Sequence, residues 1–325
     1  MISYYIPIFI ISCLILFWSG SRLVKSLMKI AKFLGWKKFV VAFFVMAIAG
    51  SLPNLFVGIN AALRGIPELA FGEIVGGNII DLTLAIALVI LIGGVNLPAR
   101  TKIVQTSVIF TVLIAILPLV LIFDGLLSRG DGFILFFTFL VYVYWLFSRE
   151  ERFKKIYNNK KGNGEKSINI KDFFKDFFQI IFFLGLLLLA SDGIVRSAGV
   201  FAESFNLTIP MVGILIIGIG NALPEMYFAI ISAKRKQTEM ILGDLMGSVI
   251  VCATLVLGIV ALISPIRIID FSPFVIGRFF LIFSALFFFI FVKTDRKITK
   301  KEGLFLFIIY VTFLFSEIYL KDMLF

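Results

Sequence analysis

The sequence contains no histidine, and that absence removes several kinds of chemistry at once. A His-ligated zinc, a haem held by histidine and a Ser/His or Cys/His catalytic pair are all excluded. Cysteine is almost absent: Cys13 and Cys252 both lie in apolar runs and frame neither a disulfide scaffold nor a zinc ribbon. Charge is scarce as well, at 16% of 325 residues, where an ordinary soluble domain carries about 25%. In its place stand 60% hydrophobic residues, 39 Phe and a mean hydropathy of +1.07. Such a chain is an integral membrane protein. Without a nucleophile-and-base pair or an H-E-x-x-H motif, no enzyme and no bound cofactor is expected. The net charge of +11 would point to nucleic acid in a soluble chain. In a membrane chain basic residues mark cytoplasmic loops, so the expected surroundings are a lipid bilayer and no nucleic acid.

A transmembrane helix needs about 20 mostly apolar residues. The apolar runs fall near 3–20, 39–62, 70–93, 103–123, 132–147, 173–191, 207–232, 240–263, 271–292 and 303–320, which predicts about ten spans. The first run, MISYYIPIFIISCLILFW, has no basic region before it and no small-residue cleavage site after it, so it reads as a retained span. Runs containing Pro53, Pro67, Pro210 and Pro224 are candidates for broken helices. With the N-terminus outside, 25 of the 31 Lys and Arg fall in inner loops. Both termini are therefore expected outside, most simply at the plasma membrane. The hydrophilic stretch 149–172 reads as a basic cytoplasmic linker between two halves of five spans, 1–148 and 173–325. Trp36 and Trp145 read as interfacial anchors, and Phe287, Phe288 and Phe289 as lipid-facing or packing residues.

The chain also repeats itself. Residues 52–84, LPNLFVGINAALRGIPELAFGEIVGGNIIDLTL, align without a gap on 223–255, LPEMYFAIISAKRKQTEMILGDLMGSVIVCATL, at a shift of 171 with eleven identities in 33. Pro53/Pro224, Arg64/Arg235, Glu68/Glu239, Gly72/Gly243 and Gly76/Gly247 are among them, so the match is more than shared hydrophobicity. An odd number of spans per half makes the two repeats inverted. Inverted repeats with broken helices at matching positions point to a secondary transporter with its site near the bilayer midplane. A duplication kept only for packing would use the same glycines as small-xxx-small contacts.

Ionisable residues inside such spans are costly and usually functional. Glu225 follows Pro224 in one repeat and Asp81 lies deep in the third span; their repeat partners are Asn54 and Cys252. Two carboxylates would neutralise one divalent cation, with further oxygens from Asn54, Ser51, Asn78, Thr83, Asn221, Ser248 and Thr254. An all-oxygen set suits a hard cation such as Ca2+ or Na+. The slender runs Ala47 to Gly50 and Gly218 to Gly220 would let unwound main-chain carbonyls, those of Ala47 and Gly218 first, reach the ion. Glu73 and Asp244 form a symmetric acidic pair near the starts of the third and eighth spans. They read as carboxylates stabilised at helix N-termini, or as cation attractors at two entrances. Arg64/Glu68 and Arg235/Glu239 read as residues that register a turn.

These residues resemble the cation/Ca2+ exchanger superfamily, the sodium/calcium exchangers and their relatives. The second repeat offers Gly220-Asn221-Ala222-Leu223-Pro224-Glu225 and then Gly243-Asp244-Leu245-Met246-Gly247-Ser248. The first offers Gly50-Ser51-Leu52-Pro53-Asn54 and then Gly72-Glu73-Ile74-Val75-Gly76-Gly77-Asn78-Ile79-Ile80-Asp81. The resemblance implies an all-α integral membrane protein of about ten helices in two inverted five-helix repeats. It places Asn54 and Glu225 where the family carries its central acidic pair, Asp81 and Cys252 at the flanking positions, and Ser51, Gly77 and Ser248 where hydroxyls help bind Na+. Asn54 thus stands for one carboxylate, Cys252 and Val249 for polar ligands, and Asn221/Ala222 for a Thr/Ser pair. The expectation is an antiporter exchanging Ca2+ for Na+ or H+ by alternating access. A passive cation channel and a transport-dead regulatory relative are the alternatives, and oligomeric state is not specified.

Overall fold

The computed structural model describes residues 2–33, 46–148, 170–234, 238–268 and 272–319. Trp36, Arg235, the segment 34–45 of the second expected span and positions 149–169 of the expected linker lie outside them. Among the described residues, eight helices are long and apolar enough to cross a membrane. A ninth span is the pair Ile209–Leu223 and Glu225–Lys234, bent by 40°. The second expected span contributes α2 (Met46–Gly50) and α3 (Leu52–Leu63). Helices dominate because a backbone in hydrocarbon must satisfy its own polar groups.

The spans are not equally enclosed. Glu68–Gly93 and Ile241–Ile263 each have 78% of their apolar window buried, against 17% for Ile2–Leu27, so these two repeat-related spans form the centre. Each is interrupted. The first comprises α4 (Glu68–Leu82) and α5 (Leu84–Gly93), parted at Thr83 with φ −128° and ψ −80°. The second runs from α6 (Thr238–Val251) through a π-helical stretch, Cys252–Val256, into α7 (Leu257–Ile263). Against α4 lies the ninth span, in which α8 (Ile209–Val212) passes through a second π-helical stretch, Gly213–Ile217, into α9 (Gly218–Lys234). Glycine sets this approach: a Cβ at Gly72 would overlap the carbonyl oxygen of Pro210, and one at Gly76 that of Ile214. Gly213 is crowded in the same way by the Leu69 carbonyl. At the flank, α1 (Ile2–Phe33) packs along α10 (Ile170–Phe205). The Lys29–Asp176 ion pair at 3.0 Å and the edge contacts Trp18–Phe183 and Phe9–Phe201 hold the pair together.

Two short ribbons join the halves. Strand β1 (Leu97–Pro98) pairs with β4 (Lys297–Ile298), and β2 (Leu126–Leu127) with β3 (Ile266–Arg267), both antiparallel. Each ribbon takes one strand from each half, and β2 and β4 are separated by the repeat shift itself. The operation that exchanges the halves therefore exchanges the ribbons. Arg100, Lys102, Lys293 and Asp295 flank one ribbon, and Asp124, Arg129 and Asp131 the other, which itself contains Arg267. The remaining spans are α11 (Lys102–Leu121), α12 (Arg129–Ser148), α13 (Ser272–Lys293) and α14 (Lys300–Tyr319). Within them Phe288 is fully buried and Phe287 stacks on Phe283 and Phe305, so this phenylalanine run is packing. Trp145 lies against Phe110 and Tyr142.

The runs expected to break are interrupted, at Ser51, at Thr83 and at Pro224, but three of the four prolines are not the break itself. Pro53 and Pro210 occupy first helical turns and Pro67 caps α4, positions where a missing N–H costs nothing. Pro224 alone of the four stands inside a helix. Because the glycine contacts are with backbone, Gly76→Val is expected to destabilise the protein by at least about 3 kcal/mol. Gly199→Ala, with nothing within 4 Å of the added Cβ, should cost nothing and gain about 0.5–1 kcal/mol. Thermal unfolding of the detergent-solubilised variants checks both.

Candidate functional site

Pro224 cannot return a hydrogen bond to the carbonyl four residues before it. The helix bends there, and Glu225 is the next residue. On α4, positions 73, 77 and 81 recur every fourth residue and so share one helical stripe. On α9, Gly218, Asn221, Ala222 and Glu225 do the same, and across the end of α6 Ser248 and Cys252. These stripes, with Asn54 from α3, enclose one small cavity of about 10 Å3, room for about one water-sized body. Its walls carry Asn54, Glu73, Asn78, Asp81, Asn221, Glu225, Ser248 and Cys252. Neither Lys nor Arg is among them.

The carboxylates are deeply withdrawn from water, with Glu73 2%, Asp81 4% and Glu225 8% exposed. Four oxygens around the cavity are buried without a hydrogen-bond partner: Asn54 Oδ1, Glu73 Oε2, Asp81 Oδ1 and Glu225 Oε2. The polar groups that are satisfied bind one another. Asn221 Nδ2 donates to Glu73 Oε1, and Asn54 Nδ2 donates to Cys252 Sγ at 3.1 Å. The Ser248 hydroxyl stands against the Asp81 carboxylate. Among the described residues no group of three acidic or thiol side chains converges on a single metal-sized point. A cation here would therefore be held by carboxylates of different walls together with amide and hydroxyl oxygens.

Of the expected ligands, Glu225, Asp81, Asn54, Asn78, Asn221 and Ser248 meet at this cavity. Ser51 is buried beside Cys252 and does not line it. Thr83 and Thr254 are withdrawn from it as well. Their hydroxyls donate to the carbonyls of Ile79 and Ile250, four residues back on the helix. Of the two expected main-chain contributors, Gly218 lines the cavity directly after the π-helical stretch Gly213–Ile217, and Ala47 lies within α2. Arg64 does more than register a turn, since it shares Asp192 of α10 with Arg196.

Glu73 is the residue that sequence reasoning misplaced. It is neither an N-terminal stabiliser nor an entrance group but the sixth residue of α4, inside the cavity. The fourfold spacing to Asp81 was the signal that would have found it. Its repeat partner Asp244 has a different setting. Asp244 is half-buried and, with Gly50, Ser21 and Glu225, borders a second cavity of about 110 Å3 between α1, α3 and the α6–α9 pair. Gly50 is the repeat partner of Asn221. The hydrogen-bonded pair Asn221–Glu73 thus corresponds to Gly50 and Asp244, which border the second cavity.

The family model described as sodium/calcium exchanger protein matches residues 4–148 and 175–319. The chain belongs to the sodium/calcium exchanger family. Among its curated relatives, inner membrane protein YrbG of Escherichia coli (strain K12) is 27% identical over 79% of each chain. Sodium/calcium exchanger MaX1 of Methanosarcina acetivorans is 24% identical over 91% of this chain and 93% of its own. Among solved structures, that of the sodium-calcium exchanger NCX_Mj soaked with 10 mM Na+ and 10 mM Sr2+ superposes with a TM-score of 0.66, at 22% identity over 97% and 99% of the two chains. That likeness establishes a shared fold. As a member of this family the chain is a multi-pass membrane transporter and not an enzyme.

A buried carboxylate without a partner destabilises the protein that contains it. In chelator-treated, Na+-free buffer, Asp81→Asn and Glu225→Gln are expected to be as stable as wild type or more stable, by up to about 1–3 kcal/mol, and so to unfold at or above its temperature. Differential scanning fluorimetry would read the shift, and a clear loss of stability in both would contradict it.

Proposed function

We propose that this chain is a secondary antiporter that carries Ca2+ in exchange for Na+ by alternating access. The observation that carries the reading is the set of four buried, unpartnered oxygens around one cavity with no basic residue on its walls. Groups of this kind are tolerated at membrane depth when an ion completes them. Glu225 and Asp81 are the charged ligands, and Asn54, Asn78, Asn221 and Ser248 the neutral ones; Ser51 acts from behind Cys252. The main-chain carbonyls of Ala47 and Gly218 have no assigned part in this scheme. Each ion stabilises the same site in turn, and the two halves expose it to opposite faces. MaX1 is named for the same exchange.

Exchange against H+ is the second reading. Ser248 is the one hydroxyl among the lining residues, a poor supply for Na+, while several carboxylates there are able to carry protons. Both termini are assigned to the outside of the plasma membrane, since the basic loops then face the cytoplasm. The partners are inorganic cations and lipid, without cofactor or nucleic acid.

The test is 45Ca2+ uptake into proteoliposomes under an outward Na+ gradient or an outward H+ gradient. Uptake driven by one gradient and abolished in Glu225→Gln is the expected result and names the coupling ion. Uptake without either gradient would instead identify a passive channel. No saturable Ca2+ binding or flux in folded protein would overturn the reading in favour of a transport-inactive role.

A further inference from the structure

We propose that Glu73 is a further cation-binding carboxylate of this cavity and supplies the negative charge that position 54 lacks. The inference rests on the exchanger reading above. Asn54 is the repeat partner of Glu225, so the symmetry of the fold would place a carboxylate on each side of the cavity, and position 54 carries an amide. That amide turns its nitrogen to Cys252 Sγ. Glu73 enters the same cavity from α4, is 2% exposed, and leaves Oε2 without a partner.

Its other oxygen accepts from the neutral amide of Asn221. A single neutral donor does not compensate a carboxylate removed from water, and no Lys or Arg lines the space. Where the carboxyl is ionised, the compensation comes from a cation within the cavity. Because no three acidic or thiol groups among the described residues converge on one point, Glu73 does not complete a cluster with Asp81 and Glu225. It reaches the cavity from the wall beside Asn221, one helical turn from Glu225. The close backbone packing holds it there: Gly218 lies against the Glu73 carbonyl and Gly213 against its N–H, so the segment cannot withdraw.

The experiment compares the apparent Ca2+ affinity of purified wild type, Glu73→Gln, Glu73→Asp and the double variant Glu73→Gln/Asn54→Glu, with Ca2+ itself as the probe, by calorimetry and by 45Ca2+ uptake. Glutamine keeps the size of the side chain and an acceptor for Asn221, so it removes only charge. Glu73→Gln is expected to weaken Ca2+ binding by about tenfold or more, an effect at least as large as that of losing an outer-shell partner. Glu73→Asp should bind more tightly than Glu73→Gln, and Asn54→Glu should restore most of the loss. An unchanged affinity in Glu73→Gln, or equal losses in the single and double variants, would overturn the proposal and leave Glu73 as a residue that orients Asn221. Those results are distinct from failure of the exchanger reading, in which wild type itself shows no saturable binding and Glu225→Gln changes nothing.

Discussion

Carboxylates removed from water dominate the energetics of this molecule. Glu73, Asp81 and Glu225 sit among apolar side chains, each with an oxygen that has no partner, and no basic residue stands on the cavity wall. Leaving such groups uncompensated is expensive in any protein interior and more so in a membrane. The bundle is arranged so that these oxygens face one another across a space of ionic size rather than lipid. The glycine contacts of Gly72, Gly76 and Gly213 follow from that requirement, because α4 and the ninth span must come together at backbone distance to bring their stripes to the same cavity. So do the helix interruptions at Thr83, Gly213–Ile217 and Cys252–Val256, which lie beside the site and not at the membrane surfaces. Distortions of this kind persist where surrounding structure and function sustain them.

The two halves share a fold but not a site. At matched positions of the site the side chains differ: Asn54 corresponds to Glu225, Asp81 to Cys252, Gly77 to Ser248, Asn78 to Val249 and Gly50 to Asn221. An exact repeat would make the approaches from the two membrane faces equivalent. Here Asn221 donates to Glu73, while Gly50 and Asp244 border the second cavity. Glu225 lines both spaces, which puts it at the boundary between an enclosed site and the larger cavity that reaches it. The asymmetry is local, since the ribbons, the central broken spans and the flanking α1–α10 pair retain the inverted symmetry.

Most of the architecture was legible in the residue order because membrane crossing imposes so simple a rule. An apolar run of sufficient length must be a span, and five such runs per half make the matched segments 52–84 and 223–255 inverted copies. The central acidic residues were legible for a related reason: Glu225 and Asp81 are conspicuous in hydrocarbon. Glu73 was misread because it lies only a few residues from the start of its run, where a carboxylate at a helix end is ordinary. Thr83 and Thr254 were taken for ligands because a hydroxyl in an apolar span looks available, and their bonds to Ile79 and Ile250 depend on rotamers that spacing does not reveal.

Composition and periodicity by themselves determined that this chain crosses the membrane many times, in two related halves of opposite orientation, with carboxyl, amide and hydroxyl oxygens inside the spans. These properties depend on local polarity and on span parity, which are read one segment at a time. Tertiary structure alone decided which of those oxygens share a cavity and that Glu73 is among them. It also decided that Ser51 stands behind the wall and that Glu225 lines two cavities of different size. Those outcomes depend on how closely separate helices approach and how each is rotated about its axis, and both are set by contacts between residues more than a hundred positions apart in the chain, such as Glu73 with Asn221 and Asn54 with Cys252.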